Sequence, residues 1–521
     1  MLKSAFTFIF IFLYFSAFSQ VLNLKDERSF LFEKAYTTRT NLPHLSMKPL
    51  FFEEYNKLAD SLYSNLKLTG SPALNAHLFL KKNDKSSLSL NPVFISDKTY
   101  RSSDKALYMQ NGLGFSLKAQ HSKKWYLDAL IYGFSAKYSP KMQSQIDSFG
   151  LLPHYGNDFS NVDKRLFSYE ADLRFGFKPA DFMRFETGKS RHFLGYGRRS
   201  LFLSDNAVSL PFVSTVVDVW RIQYRWSFLR GADYDLESHS LGRGLYSKYI
   251  ALHYLSLNLT DRININFFES IVSNAYDQNG TKGPDVHFFN PVIFYRPVEF
   301  AAGTYDNALL GLGFNLRLFK RLYLYSQFII DDMIISEVKN KSGWWGNKYG
   351  LQAGFKSYDF LGLENLFVLS ELNFVRPYTY SHARDNINYG SHRMPLAHPE
   401  GANFAEALVN IKYASDRFLY ALELQAFTSG TDSADVSFGA DIYRSYNARN
   451  DDYGIDFLQG QAYSKYRANA YVSYLLNPKI NVSLKLGSRY AYMPGQRSEK
   501  HELMFYLALS SAAFYNFFDG S

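Results

Sequence analysis

Apolar and polar residues alternate with a period of two along much of this 521-residue chain. Between 167 and 178, Phe167, Tyr169, Ala171, Leu173, Phe175 and Phe177 share one parity, and Ser168, Glu170, Asp172, Arg174 and Lys178 share the other. A strand projects these two sets to opposite sides. The alternation returns at Ile263, Ile265 and Phe267, at Leu310 to Leu318, at Ala405 to Tyr413 and at Ile480 to Leu486. Apolar residues on one face with ionised groups on the other suit lipid outside and a polar interior. A soluble sandwich would bury a face of each strand and would not repeat the pattern to the C-terminus.

The connections alternate in length. Short turns fall at 179–181, 260–262, 320–321, 415–417 and 477–479, and long polar loops near 139–165, 274–305, 332–346, 377–403 and 429–460. Short periplasmic turns opposite long extracellular loops are the rule for bacterial barrels. Strands are expected to begin near 87, 105, 125, 166, 182, 217, 248, 263, 307, 321, 347, 366, 404, 418, 461, 480 and 502. The loop near 231–247 breaks the alternation, and one more crossing between 199 and 213 restores it. The reading is all-β: a transmembrane antiparallel barrel of about 18 strands with a small, partly helical N-terminal cap or plug.

The chain start sets the compartment. Lys3 precedes an apolar run from Ala5 to Phe15, and Ala17 and Ser19 suit cleavage before Gln20. This run is shorter than the roughly 20 residues of a spanning helix, so residues 1–19 read as a cleaved signal peptide. Residues 20–85 read as a periplasmic or lumenal cap, with an amphipathic helix expected over 49–66 from Leu50, Tyr55, Leu58, Leu62 and Leu66. Residues 86–521 read as an outer-membrane barrel.

Composition agrees. Aromatic residues make up 18% of the chain, with 40 Tyr and 47 Phe, and there is no Cys. Mean hydropathy is only −0.24, as expected when lipid-facing and lumen-facing positions cancel. The net charge of +9 is spread along the chain. The expected partners are outer-membrane lipid and lipopolysaccharide, with surface polysaccharide or other outer-membrane machinery proteins as further candidates. Nucleic acid is not expected.

Three motifs exceed generic barrel chemistry. The first, 188–206, holds Lys189, Arg191, Arg198, Arg199, Asp205 and Asn206 among Gly188, Gly195 and Gly197. The second, 289–299, holds Asn290, Arg296 and Glu299 around Pro291 and Pro297. The third, 380–406, holds His382, His398 and Asn403. Together these resemble the capsule-assembly Wzi-like family, most closely its Bacteroidetes branch, the gliding-motility RemB-type proteins, over about 165–430. The resemblance implies a barrel of about 18 strands with a helical N-terminal part. It also implies a role in holding surface polysaccharide, or in gliding and type IX secretion.

These residues admit two chemistries. The basic cluster can grip carboxylates or phosphates of a glycan, or pair with lumen acids. We expect pairing of Arg191, Arg198 and Arg199 with Glu170, Asp172 and Glu186, holding 188–206 in or over the lumen as the missing crossing. The Pro-flanked 289–299 segment is expected to fold inward. His382, His392 and His398 match no common metal spacing, so neither metal nor cofactor is expected. Trp344 and Trp345 suit an aromatic girdle. No nucleophile elbow, zinc helix or phosphate loop is present, so catalysis is not expected. Inward residues mix signs: Glu170 and Asp172 with Arg174, Arg184 with Glu186, Glu406 with Lys412, and Lys465 near Arg467. Selective pores favour rings of one sign. That favours a filled barrel over the alternative, a porin or uptake channel.

Overall fold

The computed structural model describes residues 20–511 except 22–25, 40–43, 53–61, 63–75, 84, 123, 164, 235–244, 278–279, 291–305 and 496–499. Eighteen strands close into one antiparallel barrel. They are β1 (Ser86–Arg101), β2 (Ala106–His121), β3 (Trp125–Lys137), β4 (Arg165–Ala180), β5 (Met183–Ser190) and β6 (Leu210–Val219). Next come β7 (Ile222–Tyr234), β8 (Leu245–Asn258), β9 (Ile263–Asn274), β10 (Asn307–Phe319), β11 (Leu322–Asp332) and β12 (Lys348–Tyr358). The last six are β13 (Leu366–Val375), β14 (Phe404–Ser415), β15 (Phe418–Thr431), β16 (Gln461–Asn477), β17 (Val482–Met493) and β18 (Lys500–Ser511). Each pairs with its neighbours in sequence, and β18 closes on β1 with Met504 opposite Arg101 and Ser510 opposite Ile95. Closure leaves no row of unpaired backbone groups to face lipid.

The alternation decides which way each strand faces. On β4, Phe167 and Tyr169 are 43% and 53% exposed, whereas Glu170 and Arg174 are 5% and 2% exposed. The apolar parity therefore looks out and the charged parity looks in. Leu312 and Phe314 on β10, Leu372 and Phe374 on β13 and Leu484 and Leu486 on β17 continue the outward apolar surface. This is the surface of a membrane-spanning barrel.

Short turns at 181–182, 220–221, 320–321 and 416–417 mark one end, and the loops 138–164, 191–209, 333–347, 376–403 and 432–460 lie at the other. The restored crossing exists but is displaced. It is β6, beginning at Leu210, with β7 from Ile222 in place of a strand from 217. The Gly-rich segment does not form it. Its backbone N–H groups at 198, 199 and 201 bond to lumenal side chains rather than to a neighbouring strand, so 191–209 turns inward.

The N-terminal helix is α1 (Ser29–Arg39), whose Phe30, Leu31 and Phe32 are all buried. Most of the helix expected over 49–66 lies outside the described residues, and Phe51–Phe52 pairs as a strand with Gln20–Val21. Helix α1 is tied to the short-turn end. Arg28 donates to the carbonyl of Arg417 at 2.6 Å, and Lys34 meets Asp359 at 2.7 Å. No described helix is long and apolar enough to cross a membrane. Residues 1–19 lie outside the described chain.

Candidate functional site: the plugged lumen

Three inward elements meet inside the barrel: α1, the segment 191–209 and the loop 376–403. The strip Met47–Lys48 after α1 pairs with Phe193–Leu194, which joins the first two. Tyr380 and Tyr389 of the third donate to the carbonyls of Leu201 and Phe202 at 2.9 and 2.7 Å. Phe202 stacks on Phe268 of β9 with centroids 5.0 Å apart. Leu201, Phe202, Tyr380, Tyr389 and Leu396 form one core with wall residues Leu252, Tyr254, Leu309 and Ile329. A fully buried Phe or Leu contributes about 1.5–3 kcal/mol, so this core anchors the plug firmly.

The chemistry of the Gly-rich segment centres on Glu371 of β13. Its two carboxylate oxygens accept the backbone N–H groups of Arg198 at 2.9 Å and Arg199 at 3.1 Å. Successive N–H groups around one anion form a nest. Tyr325 donates to the same carboxylate at 2.9 Å and Asn373 at 3.0 Å. A Cβ on Gly197 would lie 1.9 Å from Glu371 Oε2. The glycine therefore serves close approach rather than chain reversal.

Beside it, Glu406 of β14 meets Arg199 Nη2 at 3.3 Å and His398 Nε2 at 2.7 Å. Nδ1 of His398 accepts the N–H of Glu400 at 3.2 Å, so Nε2 carries the proton given to Glu406. Asn373 bridges the two acids, donating to Glu406 at 2.9 Å. A second cluster surrounds Glu186 of β5, which meets Arg174 and Arg225 at 3.1 Å each and Arg184 at 2.8 Å. Tyr126 also donates to it. Burial, with Arg174 and Arg225 alongside, holds His192 neutral, well below the usual histidine range. Its Nδ1 accepts from Arg225 at 3.0 Å.

The arginines of the first motif divide. Arg191 meets Glu170 at 3.1 Å, as expected. Arg199 pairs with Glu406, not with Glu170, Asp172 or Glu186. Arg198 makes no ion pair or side-chain hydrogen bond among the described residues, and its side chain is exposed to the lumen. Lys189 has the outward parity of Phe185 and Thr187 on β5. Asp205 borders a lumenal cavity, and Asn206 donates to the carbonyl of Pro395 at 3.1 Å.

In the second motif, the carbonyl of Asn290 accepts from His253 at 3.1 Å. Arg296 and Glu299 lie outside the described residues. In the third, Asn403 is a clasp. Its amide donates to the carbonyls of Gly430 and Gln459 at 2.7 and 2.9 Å, and its Oδ1 accepts from Leu458 at 2.9 Å. His382 packs edge-on against Tyr446 at 5.8 Å, and His392 meets Ser391 Oγ at 2.9 Å. The three histidines therefore serve three separate neighbourhoods.

Other pairings differ from those expected. Arg184 does meet Glu186, but Arg174 also goes to Glu186 rather than to Glu170 or Asp172. Glu406 and Lys412 stand six positions apart on one strand, roughly 20 Å at the usual rise, too far to pair. Trp344 and Trp345 are not girdle residues. They lie in the loop 333–347, where Arg449 covers the Trp345 ring at 3.9 Å and Tyr446 packs at 4.6 Å. Glu371, Asn373, Gln327 and Gln352, which hold the plug, were not anticipated. Their signal was a polar pair, Glu371 and Asn373, on the otherwise apolar inward parity of β13.

No protein-family model and no curated protein sequence matches the chain. Among solved structures, the barrel is similar to Wzi of Escherichia coli, described as an outer-membrane protein involved in group 1 capsule assembly and a carbohydrate-binding β-barrel. The match covers 94% of this chain and 98% of that one, at 13% identity and a TM-score of 0.53. The chain has the fold of the Wzi barrel. Weaker likenesses are to Pseudomonas aeruginosa OprD (9% identity, 81% and 94% covered, TM-score 0.41) and OpdK with vanillate (10%, 81% and 98%, 0.43).

Proposed function

We propose that this chain is a non-catalytic, integral outer-membrane barrel of the capsule-assembly type, which holds surface polysaccharide at the cell exterior. The observation carrying this reading is the filled lumen. Helix α1, segment 191–209 and loop 376–403 are bonded to the wall and to one another through buried acids and tyrosines. A barrel given over to holding folded loops suits attachment better than free diffusion. In this reading residues 1–19 direct export and are removed, the long-loop end faces outward, and lipid and lipopolysaccharide surround the wall. The order of the three motifs supports a narrower role, in a Bacteroidetes gliding or type IX secretion assembly.

One observation favours an uptake channel instead: two cavities persist beside the plug and share Arg198, Asn410, Glu423, Asn469 and Arg489. Deleting the gene and measuring cell-associated against shed polysaccharide separates the readings. Attachment predicts release of polysaccharide with total synthesis unchanged. Unaltered retention, together with lost uptake of a small solute, would sink the attachment reading.

A further inference from the structure

The plug does not fill the lumen evenly. Two cavities, of about 220 and 110 Å³, lie between the Gly-rich segment, α1 and the inner faces of β12–β18. They run from Glu27, beside α1, to Glu502, two residues from the long-loop end of β18. Together they reach the low end of the roughly 300–1,000 Å³ typical of small-ligand sites.

The charges in this space are unevenly satisfied. Glu33 is held by Lys356 at 2.9 Å and Lys48 at 3.1 Å, and Glu27 by Lys485. Glu423 accepts the side-chain amides of Asn410 at 3.2 Å and Asn469 at 2.9 Å. Arg198 is different. Its backbone is fixed on Glu371, and its guanidinium projects into the shared part of both cavities without an ion pair or hydrogen bond among the described residues. Nearby, Lys412 donates to the backbone carbonyl of Glu27 at 3.2 Å. The fold thus spends a buried nest on presenting a cation whose side chain does nothing for the plug.

We propose that this cavity binds an acidic saccharide, with the carboxylate of a uronic-acid-type residue on Arg198 and Lys412. Asn410, Asn469 and Glu423 offer donors and acceptors to the sugar hydroxyls. Glu423 also disfavours a compact dianion such as phosphate, because a like charge faces it. A guanidinium binds a planar carboxylate in two-pronged fashion, and a low-dielectric wall strengthens that attraction. The assignment rests on the attachment reading and gives it a substrate class and a site.

The test uses the full mature chain in detergent, titrated with tetragalacturonate or maltotetraose, beside a separate assay for retention of the cell's own polysaccharide. The site predicts that tetragalacturonate binds, that maltotetraose does not, and that added salt weakens the binding. Arg198→Gln should weaken it about tenfold or more with the melting temperature unchanged, and Lys412→Met should weaken it too. Equal affinity for both sugars, or wild-type affinity in Arg198→Gln, overturns the site. So does failure to bind tetragalacturonate while native polysaccharide is retained, and that result leaves the attachment function standing. Retention of neither sinks both.

Discussion

At the scale of single residues, the plug depends on a few atoms that approach unusually closely. Gly197 is one. Any Cβ there meets the Glu371 carboxylate, which cannot retreat because two N–H groups, Tyr325 and Asn373 all hold it. Gly197→Ala should therefore cost about 1–3 kcal/mol, as overpacking does, and lower the temperature at which the barrel unfolds on a heated gel. An unchanged transition would show that the nest is dispensable. His382 gives a pH signature. Burial, with Lys348 and Arg384 nearby, lowers its pKa from 6.5 to about 4. Between those values the unfolded loop binds the proton and the folded loop does not. The contribution of the neutral ring is complete above about pH 6.5 and fades as pH falls to about 4. Hydrogen-exchange protection in 376–403, corrected for the intrinsic slowing of exchange in acid, should fall between pH 7 and pH 4.5, and His382→Gln should flatten that response. An equal loss of protection in the variant would assign the effect to another group.

At the scale of elements, strands were legible and the plug was not, for a physical reason. A lipid-facing wall imposes a period of two on each strand, and that period survives in a single sequence. Thus β4, β9, β10, β14 and β17 could be read from parity alone. Helix α1 left no such trace. Phe30, Leu31 and Phe32 are consecutive and all buried, so the stripe that marks an amphipathic helix is missing. The basic residues of 188–206 suggested a place in or over the lumen, but as a strand crossing, which Leu210–Val219 supplies instead, and the partners of Arg199 were not expected. Glu371 and Glu406 lie 172 and 207 positions away, and only the closed barrel brings them opposite. Helix α1 carries its own prediction. Burial opposes the charge of Glu33, but Lys356 and Lys48 outweigh it and hold the carboxyl well below its usual range. Glu33→Ala leaves both lysines without that partner, which typically costs about 3–5 kcal/mol for a buried pair. Protease should then cut 26–48 while the barrel strands stay protected. Continued protection of that stretch would mean that the helix is held elsewhere.

At the scale of the whole molecule, an apolar exterior and a crowded interior make opposed demands on a channel. The exterior predicts a protein that needs detergent and migrates faster unheated than boiled. The interior predicts little steady current in a planar bilayer. Three elements block the axis, and the remaining space beside them is lined by charges of both signs, including Glu27, Glu423, Arg198 and Lys412. An ion passing there meets alternating attraction and repulsion with no ring of one sign to select it. Removing the segment on which the other two elements rest should reverse the result. Excising 192–205 with a short Gly-Ser bridge from Arg191 to Asn206 deletes the nest and the Phe202 anchor yet spares β5 and β6. That variant should still migrate as a folded barrel and should conduct in large, long-lived steps. Large steps from the intact chain, equal to those of the excised one, would mean that the plug moves aside on its own. The cavities beside it would then be a path rather than a binding site.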